Sequence, residues 1–246
     1  MKQIIWGVDP GNTGAFCRLS KDEVEIYPIP TIKEKKTKTK KAKISYDMKS
    51  IYDIISQFQD YENIVIIEGV GAMPDQGSVS GFNFGNGFGI LQGIFCGAFG
   101  GIVPNLVTPS VWKKFFPEYT EDSQIMDIKD EISKKKKDLL KITAEYNHKI
   151  KQLTEKKKKA AKPDQNMLKE MVKELSNELS LETTVRKKDI DKLNGKKKYR
   201  SKEISRELAS TLYPNISDKF NLVSSDGLAE SLLIAHYWRE TVVKLV

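Results

Sequence analysis

Four acidic side chains stand where the surrounding pattern makes them available for chemistry: Asp9, Glu68, Asp226 and Glu230. Asp9 follows the apolar run Ile4-Ile5-Trp6-Gly7-Val8, and Glu68 ends the Ile- and Val-rich run that begins at Asn63. Asp226 and Glu230 are four residues apart, which puts both on one face of a helix while Leu232, Leu233 and Ile234 supply its packing side. Carboxylates gathered in one cleft repel one another unless cations neutralise them, and hard divalent ions take oxygen ligands of this kind. Two such ions roughly 4 Å apart activate water and stabilise a leaving oxygen in phosphodiester hydrolysis, without any nucleophilic side chain. The expected cofactor is therefore Mg2+, two ions per site, with Mn2+ able to substitute and no small-molecule cofactor. Each acid also has a structural reading: Asp9 opening a turn before Pro10, Glu68 pairing with a lysine, Asp226 and Glu230 complementing a helix N-terminus. The two histidines, His148 in a lysine-rich stretch and His236 six residues after Glu230, read as surface or packing residues.

The elements that must position these acids are an α/β set. Ile4 to Asp9 reads as a buried strand, Pro10 to Gly14 as a tight turn, and Ala15 to Leu19 and Val24 to Ile29 as the returning strands of a meander. Residues 33 to 43, KEKKTKTKKAK, have no apolar face and read as a solvated loop, solubilising or DNA-contacting, ahead of a helical pattern from Ser45 to Phe58. Asn63 to Ile67 fits a central strand buried on both faces. Glycines dominate from Gly69 to Gly101; those at 85, 87, 89 and 93 point to close backbone approach by DNA, a helix or a subunit. Pro104 to Val107 reads as a further strand, and Thr108-Pro109-Ser110 as the start of a short helix.

From about Glu118 to Lys198 the composition turns lysine-rich, with apolar residues at broken helical spacing and a break near Ala160-Ala161-Lys162-Pro163. Two long amphipathic helices, as a hairpin or a partly disordered insertion, fit this segment. Globular patterning returns at Ile204 to Leu212, breaks at Pro214 and ends in a helix from Asp226 to Val243. Strands first, then alternating helix and strand, suit a sheet of mixed strand directions. The formal charge of +8, from 41 Lys and Arg against 33 Asp and Glu, favours an anionic partner. Cys17 and Cys96 lack CxxC spacing and read as buried, reduced thiols. Neither a signal peptide nor a membrane span is evident, so an intracellular protein is expected.

The segment Gly7-Val8-Asp9-Pro10-Gly11-Asn12-Thr13-Gly14 resembles the first motif of RuvC-like Holliday-junction resolvases, and also the acidic, glycine-rich turn of actin-like ATPases and sugar kinases. The second block, Ile66-Ile67-Glu68-Gly69-Val70-Gly71-Ala72-Met73-Pro74-Asp75-Gln76-Gly77 followed by Ser80-Gly81-Phe82-Asn83-Phe84-Gly85, looks like the phage, viral and organellar branch of the RuvC group. Thr108 to Lys114 and Asp226 to Ala235 are similar to its later segments. The resemblance implies an RNase H-like fold, a mixed five-stranded sheet flanked by helices, over residues 1–117 and 199–246, with 118–198 as a lysine-rich helical insertion. It assigns metal binding to Asp9, Glu68, Asp226 and Glu230, and places Lys113 or Lys114 near the scissile phosphate. Where bacterial relatives carry an aromatic wedge this chain has Gly71, so Met73, Phe82 or Phe84 would serve, with Gln76 as a further DNA contact. The implied activity is metal-dependent cleavage of four-way junctions by a homodimer without membrane association, in the cytoplasm of a bacterial host or a viral replication compartment. A flap nuclease, an actin-like ATPase using Asp9 to Gly14, and a non-catalytic DNA-binding protein are the competing expectations.

Overall fold

The first strand, β1 (Gln3–Asp9), holds five consecutive buried residues, Ile4 to Val8, a run that requires cover on both faces of the sheet. In the computed structural model, which describes residues 2–34, 43–69, 71 and 77–242, it receives that cover. β1 lies at the centre of a five-stranded sheet with β2 (Ala15–Leu19), β3 (Val24–Pro28), β6 (Glu62–Glu68) and β7 (Asn105–Val107), in the order β3-β2-β1-β6-β7. The first three strands form the antiparallel meander, while β6 runs parallel to β1 and β7 parallel to β6. The chain is thus of mixed α/β class with a mixed five-stranded sheet.

One face of the sheet carries Ile4, Trp6, Val8, Phe16, Val65 and Ile67, packed with Ile51 and Ile55 of α1 (Met48–Ile55) and Leu91 and Phe95 of α2 (Ser78–Ala98). Each fully buried large side chain of this kind contributes roughly 1.5–3 kcal/mol. The polar end of Trp6 is satisfied by Asn63 of the neighbouring strand, Nε1 donating to Oδ1 at 2.8 Å. The opposite face is covered by α7 (Asp226–Thr241), in which Leu232, Leu233, Ile234 and Ala235 are fully buried.

The lysine-rich region near residue 33 departs from expectation at its ends. β4 (Thr31–Glu34) and β5 (Lys43–Tyr46) pair as an antiparallel hairpin, Ile32 opposite Ser45 and Thr31 opposite Tyr46; residues 35–42 of the expected loop lie outside the described residues. The helix expected from Ser45 begins instead at Met48, because the Asp47 carboxylate caps it by accepting from the Ser50 amide at 3.1 Å.

The chain divides into two compact units, Met1–Thr120 with Lys202–Val246, and Glu121–Ser201. α3 (Pro109–Trp112) and α4 (Pro117–Thr120) belong to the first. The second is built from α5 (Ser123–Lys159) and most of α6 (Lys162–Leu212), which break at Ala160 as the sequence pattern indicates. Asp122 caps α5 and pairs with Arg200 at 3.0 Å, and a small core of Ile132, Ile190 and Leu193 joins the two helices. Leu140, in the apolar stripe, is 70% exposed. No helix among the described residues is long and apolar enough to cross a membrane. Cys17 is buried as expected, whereas Cys96 on α2 is only half-buried.

Candidate active site

β1 and β6 run side by side with Val8 opposite Ile67, so Asp9 and Glu68 emerge at the same carboxyl end of the sheet. Side chains alternate across a strand. Because Trp6, Val8, Val65 and Ile67 fill the core beneath α1 and α2, Gly7, Asp9, Ile66 and Glu68 belong to the face that α7 covers. Two glycines let α7 come close enough to bring its own acids there. A Cβ on Gly7 would lie 2.2 Å from the Ser231 carbonyl oxygen and 2.6 Å from the Ala235 nitrogen. A Cβ on Gly227 would lie 2.5 Å from the Thr13 carbonyl oxygen and 3.1 Å from Asp9 Oδ2. The first turn of α7, which opens with Asp226, is therefore seated on the turn that follows Asp9, itself closed by the Gly14 amide donating to the Gly11 carbonyl at 3.0 Å.

The carboxylates act on one another. Burial, then Glu230 and Glu68, hold the Asp9 carboxyl well above the ordinary range, with Lys113 and Lys202 pulling the other way. Burial and Glu230 raise Glu68 as well, against the Trp112 hydrogen bond and Lys113. Glu68 is 8% exposed and accepts from the buried indole of Trp112, Nε1 to Oε1 at 2.9 Å. Lys113 reaches Glu230 Oε1 with its ammonium at 2.6 Å, and Ser205 donates to the same oxygen at 3.0 Å. Asp226 is met by two cations of α6: Lys202 Nζ on Oδ2 at 2.6 Å, and Arg206 Nη1 on Oδ1. Tyr119, buried beneath this group, shares a 2.8 Å hydrogen bond with Ser205.

Asp9, Glu68 and Glu230 thus form one electrostatic cluster, to which Asp226 is joined through Lys202. As the side chains stand, no three His, Cys, Asp or Glu residues among those described are grouped to hold a single ion; ammonium and guanidinium groups balance the acids instead. The donor chemistry nevertheless fits a hard divalent cation. It is all carboxylate oxygen, and burial together with mutual repulsion keeps Asp9 and Glu68 raised despite the lysines present.

No family model and no curated protein matches the chain.

The other residues singled out in the sequence are spread more widely. Lys114 is exposed, beside the inward-turned Lys113. Phe82 on α2 is 74% exposed, while the half-buried Phe84 lines a cleft of 790 Å³ with Gly11, Asn12, Tyr46, Asn83 and Asn86. Met73 and Gln76 lie outside the described residues. Of the α2 glycines at 85, 87, 89 and 93, Gly87 alone has a close neighbour among the described residues, the Tyr46 ring at 3.1 Å from a built Cβ. His148 bonds to Gln152 on exposed helix surface; His236 packs against Phe116 and meets the Tyr213 hydroxyl at 2.9 Å, a packing role.

Four contributors escaped the sequence reading: Trp112, Lys202, Ser205 and Arg206. Trp112 lies within the Thr108 to Lys114 segment, where the resemblance gives it no role. The spacing of 202, 205 and 206 marks one helix face, but nothing in the sequence separates that face from the lysines before it.

Proposed function

We propose that the protein is a metal-dependent endonuclease of RNase H-like fold that cleaves branched DNA, acting on four-way junctions as RuvC-like resolvases do. The observation that carries this reading is the buried carboxylate cluster at the carboxyl ends of β1 and β6, completed by α7. The mixed sheet, with an antiparallel meander followed by two parallel strands, supports the fold assignment.

Divalent ions supply Lewis acidity to phosphodiester hydrolysis, and Asp9, Glu68, Asp226 and Glu230 are the residues that would hold two of them. The chain's own groups orient that set. Trp112 fixes the Glu68 carboxylate through its indole N–H, and Ser205 fixes Glu230. Lys113, on the helical turn after β7, puts a positive charge at the edge of the cluster, where an approaching phosphate would meet it.

Among the described residues, those lining the cleft beside the Asp9 turn carry no charge; their amides, hydroxyls and the Phe84 ring suit a nucleobase better than a phosphate. An unpaired base at a branch point fits this description. The same feature weighs against an actin-like ATPase. Residues 85 to 93, the one segment with the composition of a second phosphate loop, lie inside α2, where the backbone amides are engaged in the helix. Paired cuts in a junction call for two copies of the chain related by a two-fold axis.

The test compares a labelled four-way junction, a flap and a linear duplex with the purified protein in magnesium. Symmetric paired cuts in the junction alone are the expected outcome. Equal cutting of flap and junction would make the protein a general branch nuclease, and binding without cutting across several divalent ions would leave only a DNA-binding role.

A further inference from the structure

We propose that Lys202 and Arg206 are built-in counter-cations of Asp226 which a divalent ion must displace, so that these two side chains set the ion concentration the site requires. The inference rests on reading the four acids as an ion-binding centre. Both oxygens of Asp226 are engaged, Oδ2 by Lys202 at 2.6 Å and Oδ1 by Arg206. Glu230 differs, since Lys113 and Ser205 both grip it through Oε1.

The side chains of Asp226 and Arg206 are each 13% exposed, so solvent screens their attraction little, and a second cation arriving at the same carboxylate meets an unscreened positive charge. Lys202, at 35%, has a short path to water and is the easier of the two to displace. The arrangement is specific to one helix face: positions 202, 205 and 206 of α6 meet Asp226 and Glu230, and Lys202 also acts on Asp9. Without an ion these cations keep a repelling cluster folded. With one, they compete for the same oxygens.

Calorimetric titration of the full-length protein with Mn2+, in the absence of DNA, separates this role from a merely structural one. Removing a competitor tightens Mn2+ binding, about threefold in Lys202→Met and roughly tenfold in Arg206→Met, because Arg206 is the better shielded of the two cations. Arg206→Lys, which keeps the charge, stays near wild type. In thermal melts Arg206→Met is less stable than wild type in chelator and gains more from added Mn2+. Should Arg206→Met fail to fold, the milder Lys202→Met decides the matter by the same titration. Unchanged or weaker Mn2+ affinity in the methionine variants overturns the proposal alone, provided Asp226→Asn still weakens binding relative to wild type. If wild type takes up no Mn2+, or Asp226→Asn binds it equally well, the ion-centre reading falls and this inference with it.

Discussion

Asp9 ends the central strand with a carboxyl group that its surroundings disfavour as an anion. Its folded-state pKa lies above the unfolded value, so between those two values the native state binds more protons and stability falls as pH rises. In chelator, the wild-type melting temperature is expected to decline through and above the ordinary carboxylate range, and Asp9→Asn to flatten that decline and raise stability at neutral pH. A wild-type melting temperature that does not fall relative to that of Asp9→Asn as pH rises would remove the argument for a strained acid cluster. At Glu68 the neighbour matters most. Trp112→Phe keeps an aromatic ring but trims the indole and withdraws the donor from a buried carboxylate, the lost hydrogen bond alone being expected to cost about 1–3 kcal/mol in denaturant unfolding, with a cavity cost added, and to lower cleavage. All four acids were legible as candidates because Asp9 and Glu68 close strands, Asp226 opens a helix and Glu230 stands one turn further along the same face; their partners were not. An indole donor or a helix-borne arginine becomes assignable only once the chain crossing is known.

The elements rely on the close seating of α7 on the sheet. Gly227→Ala would push the first turn of the helix off the Thr13 carbonyl and away from Asp9, where overpacking costs about 1–3 kcal/mol. The expected result is a folded protein with weakened Mn2+ binding and strongly reduced cleavage. Gly7→Ala, which meets backbone atoms of Ser231 and Ala235 directly, should lose more stability and show it as a lower denaturation midpoint. Wild-type stability in both would mean that the helix has room to move and does not fix the distance between Asp9 and the α7 acids. Strand positions at this scale followed from runs such as Ile4 to Val8 and Asn63 to Ile67, where burial on both faces leaves a continuous apolar signature. The β4–β5 hairpin did not follow: lysines occupy its strands, and charge masks a two-residue alternation. The start of α1 shifted for a local reason, the Asp47 cap, which outranks the helical pattern extending before it.

Across the whole molecule the charge is unevenly placed. Residues 121–201 hold 23 Lys and Arg against 15 Asp and Glu, which accounts for the entire formal charge of +8 and leaves the sheet-bearing unit neutral. The helical unit is then expected to supply the salt-sensitive part of DNA binding. Replacing Lys134–Lys137 and Lys156–Lys159 by glutamine should shallow the dependence of log affinity on log salt, by roughly 0.9 for each phosphate that is no longer neutralised, with little effect on cleavage at saturating DNA. An unchanged slope would assign phosphate binding to the sheet-bearing unit. Composition alone revealed the charge, and the break near residue 160 was visible in sequence. Which apolar residues join the two helices was not, because Ile132, Ile190 and Leu193 belong to a stripe that exposed leucines continue.

The central claim is that the four carboxylates form a metal-dependent phosphodiester-cleaving centre, and Asp9→Asn tests it most directly, since asparagine resembles the protonated acid the fold already favours. Cleavage of a labelled four-way junction in magnesium should fall roughly a thousandfold or more, the loss of several kcal/mol of transition-state stabilisation, while the variant melts at or above the wild-type temperature. Full cleavage by Asp9→Asn, or a wild-type protein that cuts equally in chelator, would contradict it.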